Sequence, residues 1–190
     1  MLLTRLIRSK FKDTALRAFR RDERGATAVE LALLAIPFFA LVGAILQTAL
    51  VFLASQILDG AVQDSSRLIR TGQEQNITPP PTDAAATYQA AICDRLFNLF
   101  DCTQLHVTVN VITDFASATV ASSPLDPTDP SKWTLAPAYD PGTGSSIVMV
   151  QAYYKWPTFF NFAGFNFATS SDGTRLLGAV RVFANEPFTS

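Results

Sequence analysis

Histidine occurs once in this 190-residue chain, at His106, and cysteine only twice, at Cys93 and Cys102. That scarcity excludes most metal centres and most nucleophile–base pairs, because zinc sites draw several ligands from His and Cys and a catalytic Ser or Cys needs a base beside it. His106 falls on the polar side of an alternating segment with no nucleophile motif around it, so it reads as a surface histidine and not as a general base. Neither G-x-x-x-x-G-K-[ST] nor G-x-G-x-x-G occurs, and no nucleotide cradle is expected. Asp126, Asp129 and Asp140 lack the ligand spacing of an EF-hand and read as solvated loop residues. No catalytic residue, no metal and no cofactor are expected, and the chain reads as something other than an enzyme.

Charge is the second thing in short supply. From Leu31 to Ala54 the sequence LALLAIPFFALVGAILQTALVFLA runs 24 residues without a charged side chain, enough at about 1.5 Å per residue to cross roughly 30 Å of hydrocarbon. The run is too long for the apolar part of a cleavable secretory signal, and no small-residue cleavage tripeptide follows it. The charge that does exist is lopsided. Residues 1–24 hold eight basic and three acidic side chains, a net of +5, and the remainder has a net of -6. The positive-inside rule then keeps the basic end cytoplasmic and exports the acidic remainder. Beside a membrane span, a nucleic-acid role for the basic tail is unnecessary.

Beyond the span, Ile57, Ala61, Val62, Ser65, Leu68 and Ile69 recur at helical spacing, with Gln56, Asp59, Gln63, Asp64, Arg67 and Arg70 between them. Gly72 is a natural stop. The spacing predicts one helix of about 46 residues from Ala26 to Thr71, roughly 70 Å long, whose outer third presents an apolar stripe to a domain or to a neighbouring subunit. After the proline linker at 78–82, Asp83 can cap a second helix through Phe100, with Tyr88, Ile92, Leu96 and Phe100 on one stripe. A strand is expected over 104–112, with Leu105, Val107, Val109 and Val111 inward and His106, Thr108 and Asn110 outward; a loop with five prolines covers 122–145. Strands over 146–156 and 174–183 follow, joined by the aromatic segment 159–167; such phenylalanines more often fill a core or sheet edge, and an exposed binding patch or membrane-surface contact is the alternative. The expected fold class is α+β: a long N-terminal transmembrane helix extending into a small exported domain of one or two helices and an antiparallel sheet. The segments are a basic leader over 1–25, the helix over 26–72 and the exported domain over 73–190. Cys93 and Cys102 lie in the part expected to face an oxidising space, where a disulfide between them would act as a local staple; two free thiols are the alternative.

The junction carries the most specific signal. Arg24-Gly25-Ala26-Thr27-Ala28-Val29-Glu30 joins a basic leader, a glycine and a glutamate five residues past it, at the edge of the apolar run. A carboxylate there calls for a partner or snorkels to the interface. The arrangement resembles a type IV prepilin processing site. Pro37 lies seven residues beyond Glu30, a polar helical continuation ends in arginine before Gly72, and a closing strand runs through Arg181, Asn185 and Glu186. With these features the chain resembles TadE-like proteins, the pseudopilins or minor pilins of the tight-adherence (Flp) pilus. The resemblance implies a membrane-embedded prepilin peptidase that cuts between Gly25 and Ala26 and a helix that stays in the mature protein. It also implies a Glu30 carboxylate paired with the new amine of Ala26, and a helix kinked at Pro37. The partners it implies are that peptidase, other pilins or pseudopilins, the inner-membrane assembly platform and membrane lipid, with no nucleic acid. Localisation follows as the bacterial inner membrane, single-pass, with a periplasmic C-terminal domain. A different reading of the same residues is an uncut bitopic envelope protein whose exported domain is a binding module.

Overall fold

The computed structural model describes residues 25–77, 83–119, 124–130, 132–136, 138–159, 161–162 and 165–188. The basic leader and the proline linker fall outside them. The chain divides into two compact units between Ile45 and Leu46.

Helix α1 spans Ala26–Arg70 and includes Pro37. In the first unit its large apolar side chains, from Val29 to Ile45, are 57–69% exposed on every side. A helix apolar all round is at home in hydrocarbon, where backbone bonding within the segment is obligatory. In the second unit α1 changes character: Val51, Ala54, Leu58, Ala61, Val62, Ser65 and Ile69 are buried, at the three- and four-residue steps of one helix face. Its end is a Schellman motif, with the Gln73 N–H donating to Leu68 O at 2.9 Å and the Gly72 N–H to Ile69 O at 3.0 Å. Gly72 has φ +77°, and a Cβ there would meet the Phe188 ring at 2.8 Å, so both backbone and packing demand glycine.

Helix α2, Ala84–Cys93, starts where Asp83 accepts a hydrogen bond from Ala86 N at 2.9 Å. It stops seven residues before the expected end at Phe100, because Phe97 and Asn98 take φ of 51° and 55° and turn the chain back. The stripe survives the change: Tyr88, Ile92, Leu96 and Phe100 are all buried.

The remaining strands are β1 (His106–Ile112), β2 (Ala138–Tyr139), β3 (Ile147–Pro157), β4 (Asn161–Phe162), β5 (Phe165–Asn166) and β6 (Thr174–Ala184). The main sheet has the order β2-β1-β3-β6. β1 and β6 flank β3 antiparallel, with His106 opposite Tyr153 and Arg181 opposite Val150. The sheet is mixed and not purely antiparallel, because β2, inside the proline-rich loop, pairs parallel to β1. α1, α2 and one face of the sheet close a single core, in which Leu58, Val62, Ile92, Val109, Val150 and Tyr154 meet. The class is α+β, as expected.

β3 is buried along nearly its whole length, as a central strand covered on both faces should be. β1 departs from the expected alternation: Thr108, expected outward, is buried, and Val111, expected inward, is 41% exposed.

Candidate functional site

The processing-site residues lie on the first unit of α1. Gly25 is exposed just before the helix, and an added Cβ would have nothing within 4 Å. The described part of the fold does not require glycine there. Glu30 is also exposed. Ala26 opens α1 and Pro37 lies inside it.

Cys93 and Cys102 lie in the second unit. The two cysteines form a disulfide with Cα atoms 6.0 Å apart, joining the end of α2 to a 3-10 turn at Cys102–Gln104. Asp101 begins that turn; its carboxylate accepts from Thr103 and Gln104, and these bonds, the Thr103 side chain first, hold its pKa below the ordinary value.

Three arrangements were not visible from the sequence. The buried face of α1 extends back into the uncharged run as far as Gln47, which is 4% exposed and accepts a hydrogen bond from the Phe159 backbone N–H at 3.4 Å. Inside a run where nearly every residue is apolar, the faces of a helix cannot be told apart by hydropathy; the lone glutamine was the available signal. Farther out, Arg181 of β6 pairs with Asp59 of α1 and also reaches Gln63 at 3.5 Å. At the helix end Arg70 faces Glu186 at 3.5 Å, and the Glu186 N–H donates to Arg70 O at 2.9 Å. Hence β6 is laced to α1 by contacts separated by more than one hundred residues in sequence.

The third gives His106 its partner: its ring stacks on Trp133 at 3.8 Å with a 23° interplanar angle. Partial burial, and next the positive charge of Lys155, lower its pKa. Near it Lys155 pairs with the Asp172 carboxylate at 3.4 Å. Asp126 spends its Oδ1 on Thr128 N and Oγ1, which organises a turn. Among the described residues no group of three His, Cys, Asp or Glu side chains is placed to hold a metal ion.

What stands out is one helix, long and apolar enough to cross a membrane, with a domain built on its outer half. Such a helix suits a membrane-anchored protein. Residues 25–67 match the TadE-like protein family. The family resemblance read from the sequence is thus supported over α1, from Gly25 almost to the helix end. The TadE-like match points to a protein associated with the Tad pilus, a family structural in character rather than catalytic. No curated protein and no solved structure matches the chain.

Proposed function

We propose that this chain is a pseudopilin or minor pilin of the tight-adherence (Flp type IVb) pilus machine. Its basic leader stays in the cytoplasm, α1 crosses the inner membrane, and the domain is delivered to the periplasm. Prepilin peptidase cuts between Gly25 and Ala26, and other pilins and the inner-membrane platform then receive the mature helix. The observation that carries this reading is the coincidence of three things at one place: the TadE-like match begins at Gly25, a side chain at Gly25 would touch nothing in the fold, and the helix that follows exposes apolar side chains all round.

The chemistry suits the role. Glycine presents an unobstructed backbone to a protease. Cleavage creates an amine at Ala26, close in sequence to Glu30, and in a low-dielectric setting such a pair fixes the register of one helix against another.

N-terminal sequencing of protein extracted from membranes tests the proposal. The expected start is Ala26 in cells with the peptidase and Met1 in cells without it. An intact leader in both would sink the pseudopilin reading and leave an uncut bitopic binding protein. Glu30→Ala is expected to be cut normally but to assemble poorly into pili.

A further inference from the structure

Gln47 is an amide inside the uncharged run, where an unbonded polar group is costly. Its Oε1 holds the Phe159 N–H, and so fixes the loop after β3 to one level of α1. A hydrocarbon layer of roughly 30 Å takes about 20 helical residues. If the layer begins at Leu31, it ends near Leu50, about three residues or 5 Å beyond Gln47. Leu46, Leu50 and Phe52 around that level are 47–65% exposed, and Phe159 is 75% exposed.

A second reckoning reaches the same level from the other side. Arg181 bonds Asp59 and lies opposite Val150 of β3. From Val150 to Trp156 a strand advances about 20 Å, which is about thirteen helical residues and leads from Asp59 back to the neighbourhood of Gln47. The end of β3 carrying Trp156 is therefore the end nearest the span. Phe100 packs on Tyr154 and Trp156 at 4.8 and 5.4 Å, so the turn before it shares this end, and that turn exposes Phe97 at 80%. Arg175, opposite Trp156 in register, supplies a cation.

We infer that this end of the domain is a lipid-contacting rim: Phe159 and Phe97 sit at the headgroup–acyl boundary of the leaflet where α1 emerges. Exposed aromatics with a nearby cation are what that boundary selects. The rim fixes the domain against the bilayer, so α1 cannot move along its axis without pulling aromatics out of lipid. The inference rests on α1 spanning a membrane, and not on leader cleavage.

The opposite end offers an internal control, since Phe115 is 58% exposed just past Ile112, which pairs with Ile147 at the far end of β3. The full chain is reconstituted in vesicles of phosphatidylethanolamine and phosphatidylglycerol without bromine, with bromine on the acyl chains near the headgroup and, for L41W, with bromine near the acyl-chain ends. Tryptophan emission is read for F159W, F97W, F115W and, within the span, L41W, each relative to the parent. Bromine is expected to cut the added emission of F159W and F97W at least twofold and to leave F115W unchanged. F159W tracking F115W while L41W is quenched would overturn the rim but keep the span; an unquenched L41W would remove both. Should F159W fail to reconstitute, F97W carries the same comparison.

Discussion

Lys155 stands 3.4 Å from the Asp172 carboxylate and 5.5 Å from the centre of the Trp133 ring, the same ring on which His106 lies. A proton on His106 would add a second positive charge to a partly buried spot that already holds an ammonium. The folded protein therefore binds that proton less readily than the unfolded chain, whose histidine titrates near 6.5. Stability from this group is fully present above about pH 6.5 and is lost as pH falls through the lower folded value. Asp172 has its own pKa lowered, chiefly by its bond from Thr174 against the opposing effect of burial, and stays ionised over that interval. Between pH 7.5 and 5.0 the melting temperature of the detergent-solubilised protein is expected to fall more than that of H106Q. Equal falls in the two proteins would refute the link. This pair was not legible beforehand, because Trp133 sits in a proline-rich loop twenty-seven residues from His106 and no periodicity connects them.

At the scale of elements, the segment after α2 shows what pattern alone can and cannot supply. Asp83 marks the start of α2 because an N-cap is a local event. The end depends on Phe97 and Asn98 adopting left-handed backbone, which a phenylalanine takes only when surroundings compel it. Burial of Leu96 and Phe100 against Tyr154 and Trp156 provides that compulsion, and it is tertiary. The disulfide closes this irregular turn, while Gln89 Nε2 donates independently to Cys102 O at 2.9 Å and Leu105 O at 3.0 Å. A short loop limits what a crosslink contributes: C93S/C102S is expected to cost about 2–3 kcal/mol in urea unfolding, with α2 still formed. Complete loss of helical signal from α2 in that variant would mean the bridge, and not the core stripe, holds the element.

For the whole molecule, the fold class, the long apolar helix and the three long strands were readable from hydropathy, since each leaves a local pattern along the chain. The parallel β2 was not, because a two-residue strand has no period. Nor was the extent to which the domain depends on α1. Val51, Ala54, Leu58, Ala61, Val62 and Ile69 belong to the same core as the sheet, and β6 is tied to Asp59 by Arg181. The outer half of α1 is thus a structural layer of the domain: without it, one face of the sheet and the stripe of α2 lose their cover. Burial of a single core leucine is worth roughly 2–5 kcal/mol, and a small domain has only about 5–15 in total, so losing several such residues together exceeds its stability. A fragment over 46–190 in mild detergent is expected to give dispersed amide resonances and a protected disulfide. A fragment over 73–190 is expected to give the collapsed spectrum of an unfolded chain. If the shorter fragment folds, the helix is only a tether, and forces on the span would not reach the sheet; if it does not, pulling on α1 acts directly on the core.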